Sequence, residues 1–391
     1  MHIDNQQDAS TCWDTPPINR TTTGFFILSN IAVLTIVPWY GFSHGYSVAA
    51  WLVAGLFWAM NGVGITAGYH RLWSHRTYKA HQALRWLLLI IGSMALQNSV
   101  LIWASRHRYH HRHTDDNERD PYSAKRGVWF SHMGWMIRDW PSSDLDFSNI
   151  KDLLDDPMLQ WQHRHYWKIV WATNLGLPLL AGFIFGDVIG MLLLAGVARL
   201  VLNHHTTFFI NSLAHFVGKQ PYSDATTAKD STLLASITWG EGYHNFHHSF
   251  QNDYRNGVRW WHIDVGKWFI NVCNWLGLAY DLQRVPGFKI RRAQLQMLFK
   301  KAEASIETSP LAQRWREHLE AEYEAFSNTV RDWQQLQVQR MNAAGHQLRD
   351  RFADSVLRTR LQELEYSLRQ QRKRLRLLLQ EAAMQQRASA S

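Results

Sequence analysis

The sequence predicts an all-α integral membrane fold, with four transmembrane helices arranged as two hairpins and capped by a cytosolic helical domain. Two features predict this class: four long apolar runs joined in pairs by very short loops, and clusters of histidine at one end of those runs. The composition agrees, because 46% of the 391 residues are hydrophobic, only 19% are charged and 20 are Trp. Tryptophan is enriched where a membrane meets water.

The four apolar runs are residues 24–42, 47–68, 167–185 and 187–209. Each is long enough to cross a hydrocarbon layer of about 30 Å as a helix. The loops that join each pair are very short, Gly41 to Gly45 and Gly186-Asp187, so each pair is predicted to be a helical hairpin. These loops carry no Lys or Arg, whereas the opposite ends of the runs carry many. The positive-inside rule therefore places the basic side and both termini in the cytoplasm, and we expect a bacterial inner membrane.

Residues 84–104 are a fifth apolar run. If they crossed the membrane, the histidine clusters before and after them would face opposite sides. Gln97, Asn98 and Ser99 near the middle of the run also disfavour contact with lipid. The run is therefore predicted to be interfacial or partly buried.

The chain is predicted to have three parts: a cytosolic N-terminal segment (1–23), a membrane domain with its cap (24–290) and an amphipathic helical extension (291–391). The extension is rich in Arg, Gln, Glu, Leu and Ala. Its leucines fall on heptad a and d positions, interrupted by Gln371. These leucines are Leu361, Leu364, Leu368, Leu375 and Leu378. Three structures remain open for this extension: a helix packed on the cytosolic body, an oligomerising coiled coil or a docking arm for a partner.

Charge and cysteine content exclude several classes of protein. Two cysteines are too few for a disulfide framework or a Cys-rich zinc site. The formal charge of +9 suits an anionic membrane surface or an anionic substrate handle. Because no motif interleaves basic and aromatic residues, nucleic acid is not an expected partner.

The histidines are the strongest signal in the sequence. In the second and third clusters they are spaced i, i+3 and i+4, so that on a helix they share one face. The clusters comprise His70 and His75; His107, His110 and His111; Asn211 and His215; and His244, His247 and His248. Nine imidazoles exceed the three or four protein ligands of a single zinc ion and suit two metal ions. Imidazole binds Zn, Cu, Fe and Ni alike, so ligand type does not select the metal.

Other histidines are less informative. Lone histidines near a membrane surface are usually interfacial polar residues. Chance does not explain why the four histidine motifs all lie at one membrane face. His113, His204 and His205 stay open, either as packing residues or as contacts of the metal ligands or the substrate.

Four strings resemble the membrane stearoyl-CoA (delta-9 acyl-CoA) desaturase family, and we expect a bacterial-type member of it. The resemblance covers roughly residues 25–285. The strings are Gly68-Tyr-His-Arg-Leu-Trp-Ser-His75, His107-Arg-Tyr-His-His111, Asn211-Ser-Leu-Ala-His215 and Gly240-Glu-Gly-Tyr-His-Asn-Phe-His-His248. The resemblance implies a cytosolic cap that carries a His-rich di-metal site. It also implies an enzyme that introduces a cis double bond, at delta-9, into a saturated acyl chain, using O2 and two electrons at a di-iron centre.

The resemblance also implies roles for individual residues. One iron ion would bind His70, His75, His107, His111 and His248. The other would bind His110, His215, His244 and His247, with Asn211 acting through a water molecule. Gln97, Trp103 and Thr207 would line the bend of a buried acyl tunnel.

The sequence departs from the family at positions that hold the CoA headgroup, where it has Ser105-Arg106 and Arg138-Asp139. The expected substrate is a fatty acyl-CoA, with acyl carrier protein or a lipid-linked acyl chain as alternatives. Because the sequence has no His-Pro-Gly-Gly heme motif, we expect a separate electron donor, such as ferredoxin or cytochrome b5 with its reductase.

Two alternative functions follow from the same residues. A related histidine-box oxygenase, either an acyl-lipid desaturase or a fatty-acyl hydroxylase, would share the ligand set. A metal-binding or transport protein without enzymatic activity would place its ligands near the membrane midplane. The clusters lie instead at the cytosolic ends of the runs, which disfavours transport.

Overall fold

The computed structural model describes residues 16–306, 312–344 and 351–389, so most of the predicted N-terminal segment lies outside the described residues. Within these ranges, four helices are long and apolar enough to cross a membrane. In chain order the helices are α1 (Arg20–Ser43), α2 (Val48–Ser74), α3 (Gln82–Ser93), α4 (Val100–His113), α5 (Pro157–Phe185), α6 (Val188–Phe216), α7 (Thr232–Ile237), α8 (His244–Ser249), α9 (Val265–Trp275), α10 (Gly287–Ile306), α11 (Ala312–Ala344) and α12 (Arg351–Ser389). Short helical turns lie between α4 and α5. The predicted helical fold with four spans is confirmed.

Local sequence explains the two hairpins. Ser47 begins α2 by accepting a hydrogen bond from Ala50 N, and Asp187 begins α6 by accepting one from Gly190 N. Gly186 ends α5 with a φ of +70°, a conformation that glycine adopts at little cost. The Ser47 hydroxyl also donates to Asp187 Oδ2 at 2.7 Å, and this bond links the two hairpin turns at the membrane face away from the histidines.

The fifth apolar run is divided into α3 and α4 by a connector of six residues, Met94–Ser99. One face of α3 is buried against α2, with Leu88 and Leu89 fully enclosed. Because the chain turns back at the connector, α3 and α4 do not form a span of membrane length, as the sequence indicated.

The second half of α2 is wound more widely than an α-helix. From Gly64 to Ser74 the helix is of the π type, and His75 N donates to His70 O, five residues earlier, at 3.0 Å. Such turns are rare and are frequent at functional sites. The spacing of five residues between His70 and His75 would separate the two rings on an α-helix, but here their centroids lie 4.8 Å apart.

The cap packs on the ends of the spans. A short antiparallel ladder pairs β1 (Lys79–Ala80) with β2 (Ala279–Tyr280), and Asp264 begins α9 by accepting from Lys267 N. The core beneath it extends from α2 and α3 to α9. The cap therefore holds the loop after α2 and the loop after α9 together.

The helices α10, α11 and α12 share an apolar core that includes Phe288, Leu295 and Phe326. Leu368 and Leu375 of the predicted heptads are fully buried in it, and Gln371 Nε2 donates to Thr329 Oγ1 at 3.3 Å. The side chain of Leu361 lies outside the described residues.

This unit packs on the membrane domain. Ile290 contacts the rings of Tyr222 and Phe246, and Lys300 forms an ion pair with Asp224. In the structure the extension packs against the body of the membrane domain, and α10 begins at Gly287.

Candidate metal centre

All nine predicted histidines converge at one end of the spans. They form two groups, and within each group the ligand nitrogens lie within 4.8 Å of one another. The first group is His70, His75, His107, His111 and His247, and the second is His110, His215, His244 and His248. Histidines of α2, α4, α6 and α8, and His75 directly after α2, therefore meet, although His70 and His247 are 177 residues apart in the sequence.

The division between the groups differs from the expected one in a single respect. His247 lies in the first group and His248 in the second, the reverse of what the resemblance implied. The reason is the direction of α8. His248 is one helical turn after His244, so their Nε2 atoms approach to 3.1 Å, whereas His247 Nε2 lies 3.0 Å from His70 Nε2 and 2.9 Å from His111 Nε2.

Three histidines are held by polar side chains through Nδ1. His110 Nδ1 lies 2.8 Å from Asp120 Oδ1, and His70 Nδ1 lies 3.0 Å from Glu241 Oε2. His215 Nδ1 donates to Thr227 Oγ1 at 2.8 Å. With the proton on Nδ1, the rings of His110 and His215 present the lone pair of Nε2 to the centre, which is the usual arrangement in protein metal sites.

The Glu241 carboxylate is itself held by a buried network. Arg71 Nη2 lies 2.9 Å from Glu241 Oε1 and 2.8 Å from Asp264 Oδ1, while Asn256 Nδ2 donates to Glu241 Oε2 at 2.6 Å. Thr66 also donates to Glu241 Oε1. Arg71, Glu241 and Asp264 are at most 3% exposed. A buried charge needs such partners, and loss of one partner from a buried pair is strongly destabilising.

The donor set fits metal ions. The paired Nε2 atoms are 2.8–3.1 Å apart. Two nitrogens bound at right angles to one ion, each at about 2.1 Å, would be about 3.0 Å apart. His215 Nε2 is buried and has no hydrogen-bond partner among the described residues, as expected for a lone pair reserved for a metal.

Burial keeps the histidines outside the spans neutral. It lowers the pKa of His107, His111, His247 and His248 well below the usual value of histidine, and the neighbouring imidazoles lower it further. Burial alone would raise the pKa of Glu241, but His70 and Arg71 outweigh it and hold that pKa below its ordinary value. Neutral imidazoles beside an ionised carboxylate are the protonation states that metal binding requires.

A cavity of about 1030 Å³ leads to the centre. Its lining includes four histidines of the two groups, His70, His107, His110 and His244, and also Asn211. Apolar and aromatic side chains make up much of the rest, as in other pockets for apolar ligands.

The three predicted tunnel residues line this cavity together. Gln97 Nε2 donates to Thr207 Oγ1 at 2.9 Å, and Trp103 Nε1 donates to Gln97 Oε1 at 3.4 Å. The Trp103 ring stacks on the His107 ring, with centroids 4.8 Å apart. This hydrogen-bonded set therefore stands where the cavity meets the first histidine group.

The residues that hold the histidines were not predicted from the sequence. Asp120 lies ten residues after His110, and Glu241 lies three before His244 within a string that the sequence analysis quoted without giving it a role. The signal that could have found them is the presence of carboxylates close to histidine clusters, since metal-bound histidines commonly donate to carboxylates.

Fold and centre together define a membrane protein of the histidine-box class, with two groups of histidine at one end of four spans. The sequence model of the fatty acid desaturase family matches residues 45–280. The chain belongs to the fatty acid desaturase family.

Named relatives agree with this assignment. A probable acyl-CoA desaturase of Schizosaccharomyces pombe is 42% identical over 265 residues, which are 67% of this chain and 55% of the relative. Acyl-CoA desaturase 1 of Saccharomyces cerevisiae is 42% identical over 68% of this chain and 53% of its own. Stearoyl-CoA desaturase 4 of Mus musculus is 36% identical over 64% of this chain and 71% of its own. The chain thus spans about half the length of the two yeast relatives.

Proposed function

We propose that the protein is a fatty-acyl desaturase that introduces a cis double bond, at delta-9, into a saturated acyl chain. The observation that carries this proposal is the cavity. It is large, its lining is mainly apolar, and it ends on histidines of both groups. Such a shape suits a long hydrocarbon chain whose interior carbons react.

The proposed centre holds two iron ions, one in each histidine group, with Asn211 contacting the second through water. Iron there would supply the reduction of O2 and the removal of hydrogen from an unactivated methylene. The net reaction removes two hydrogens from neighbouring carbons of the chain, consumes two electrons and two protons, and converts O2 to two water molecules. The chain's own residues have two tasks in it, which are to fix the ligands and to fix the substrate.

Asp120 and Thr227 perform the first task by accepting the Nδ1 protons of His110 and His215, and the Glu241 carboxylate lies 3.0 Å from His70 Nδ1. The apolar cavity would perform the second, because a chain bound in it would lie beside the histidines against a mainly apolar wall. Gln97, Trp103 and Thr207 line the wall at that point.

The proposed substrate is an acyl-CoA. The two yeast relatives are named acyl-CoA desaturases. In this chain Arg106 and Arg138 contribute to the cavity lining together with Asn19 and Asp139. Guanidinium groups bind phosphate well, so they suit the headgroup of CoA. Acyl carrier protein and a lipid-linked acyl chain are the alternatives that a purified reaction would separate.

The proposed electron donor is a separate protein, ferredoxin or cytochrome b5 with its reductase. We propose that the protein lies in a bacterial inner membrane, with the centre and both termini in the cytoplasm, because Lys and Arg concentrate at the histidine end of the spans. The proposed division is an N-terminal segment (1–23), the membrane domain with its cap (24–290) and the helical extension (291–391).

The test is to express the chain in a host of known fatty-acid content and to measure fatty-acid methyl esters by gas chromatography and mass spectrometry. His110→Ala and His247→Ala remove one ligand from each group, so we expect a new monounsaturated acid in the wild type and at least a hundredfold less in both variants. His113→Ala is the matched control, because His113 lies on the same helix but in neither group.

A hydroxylated acid in place of an unsaturated one would assign the protein to the fatty-acyl hydroxylases and overturn the proposal. Unchanged lipids despite bound iron would call for added ferredoxin and its reductase. If the lipids then still did not change, desaturation would be excluded.

A further inference from the structure

The connector between α3 and α4 has an unusual backbone. Within Met94–Ser99, Leu96 has a φ of +52° and Asn98 a φ of +73°, values in the left-handed region that residues other than glycine rarely adopt. Met94 and Ala95 are at most 1% exposed. A strained backbone of this kind persists only where its surroundings hold it in place.

Side chains of the membrane spans hold this connector. His204 Nε2 donates to Ala95 O at 3.0 Å, and Arg199 Nη1 approaches Met94 O at 3.4 Å. Arg199 Nη1 also donates to Asn174 Oδ1 of α5 at 3.0 Å. Carbonyl groups outside a helix at membrane depth must find partners within the protein, and here α6 supplies both.

Burial of an ionisable side chain such as Arg199 within a membrane span is unfavourable, which indicates that this side chain has a function. Arg199 is 2% exposed and lies within a span, where ionisable residues are expensive and usually functional. Arg199 Nη2 is buried without a hydrogen-bond partner among the described residues. The histidine groups do not include either Arg199 or His204, so the metal centre does not account for them.

The held connector forms part of the cavity wall. Leu96, Gln97 and Asn98 line the cavity. His204, which bonds to the connector, lines the same cavity from α6. Gln97 also donates to Thr207, which places the connector directly before the histidine end of the cavity. A shift of the connector therefore moves the wall against which a bound chain lies.

We propose that Arg199 and His204 are positioning residues that fix the bend of the cavity and so decide which pair of carbons lies beside the metal centre. The inference rests on the proposed function, since it concerns the position of the double bond. A saturated chain offers no polar group at the reacting carbons, so the shape of the wall selects them. Without the His204 donor to Ala95 O, the connector is no longer fixed. A bound acyl chain can then lie in more than one register.

The test compares His204→Leu and His204→Gln with the wild type by locating the double bond. Dimethyl disulfide adducts of the methyl esters are analysed by mass spectrometry, and the ratio of minor to major positional isomer is recorded. His204→Leu removes the donor, and we expect that ratio to rise at least tenfold. His204→Gln keeps an N–H donor, and we expect it to restore the ratio to within about twofold of the wild type.

His205→Leu is the matched control. His205 is the next residue on α6, but it bonds to Asn30 and His132 rather than to the connector. We expect its isomer ratio to equal that of the wild type. A His204→Leu protein that makes less product with an unchanged ratio would overturn the proposal, because a merely structural residue lowers the yield without changing the position.

The isomer ratio does not depend on how much protein folds. If His204→Leu accumulates too little product, Arg199→Lys and Arg199→Met provide the same comparison at the other contact, because lysine keeps a donor and methionine has none. An elevated ratio only in Arg199→Met supports the proposal, and an unchanged ratio in both overturns it. A wild type that makes no unsaturated product even with added ferredoxin and its reductase would instead overturn the proposed function, which the same experiment reveals separately.

Discussion

At the scale of single residues, Thr227 shows how a side chain outside the histidine clusters holds the centre. Its hydroxyl accepts from His215 Nδ1 and donates to Asp115 Oδ1 at 2.6 Å, while Thr227 N donates to Asp115 Oδ2 at 2.7 Å. Because the Thr227 hydroxyl gives its only proton to Asp115, it accepts from His215, and the proton of His215 must therefore lie on Nδ1. The lone pair of His215 Nε2 then points to the second histidine group.

We predict that Thr227→Val lowers the affinity for iron by roughly tenfold to a hundredfold, because the substitution keeps the shape of the side chain but removes the acceptor of His215 Nδ1. Metal content after titration with ferrous iron, measured by mass spectrometry, checks this. Thr226→Val is the control, since the neighbouring side chain has no contact with the histidines among the described residues. Equal iron affinity in the two variants would contradict the role given to Thr227.

Much of the centre at this scale could be predicted from the sequence. The i, i+3, i+4 spacing placed His107, His110 and His111 on one face, and the structure brings all nine histidines together. The exchange of His247 and His248 could not be predicted, because both face the centre and only the packing of α8 separates them. Glu241 was missed for a related reason, since its contact with His70 joins residues that are far apart in the chain.

At the scale of elements, the widened half of α2 depends on close contact with α3. A Cβ atom added at Gly64 would lie 2.5 Å from Gly92 N and 2.7 Å from Ile91 C. Both are backbone atoms that cannot move aside without moving the helix. The absence of a side chain at Gly64 therefore lets α3 pack against the turn that leads to His70.

We predict that Gly64→Ala destabilises the folded protein by about 1–3 kcal/mol through overpacking and also lowers its iron content. Thermal unfolding in detergent, followed by tryptophan fluorescence, measures the first effect, and metal analysis measures the second.

Gly55→Ala is the matched control on the same helix, because an added Cβ there meets nothing within 4 Å. It should be neutral or slightly stabilising, since alanine favours helices. If Gly64→Ala melted at the same temperature as Gly55→Ala, the close contact would not limit the packing of α3.

Sequence patterns predicted the long elements well and the irregular ones poorly. The four spans follow from apolar length alone, which bilayer thickness imposes directly. The π-type turn from Gly64 to Ser74 and the connector at Met94–Ser99 leave no periodic signal. Both are local departures that tertiary contacts stabilise, so a reading of periodicity predicts a plain helix at those places.

At the scale of the whole molecule, the protein keeps a large group of histidines away from water. His107, His111, His247 and His248 have pKa values well below the ordinary value for histidine, first because of burial and then because of one another. In the unfolded chain these groups would titrate near about 6.5. Below that pH the unfolded state binds protons that the folded state does not, so acid favours unfolding.

We predict that the iron-free protein loses thermal stability as the pH falls from about 7 to 5, because below the unfolded pKa the unfolded histidines bind protons that the buried, neutral histidines do not bind. Melting temperatures of chelator-treated protein in detergent, measured across that range, check the sign. The iron-loaded protein should decline more steeply, since protons compete with the metal for the same nitrogens. A melting temperature that is constant or rises towards pH 5 would contradict the burial of neutral histidines.

The contact between Glu241 and Arg71 has a consequence for the synthesis of the protein. The two residues are 170 positions apart, and at a synthesis rate of 5–20 residues per second the ribosome needs about 10–30 s to travel from one to the other. During that interval the first hairpin exists without the carboxylate that neutralises Arg71 and contacts His70. The first histidine group is equally incomplete until His247 has been made. The first histidine group can therefore bind its metal only after His247 has been synthesised. A nascent chain that stalls before Glu241 leaves Arg71 without this counter-charge.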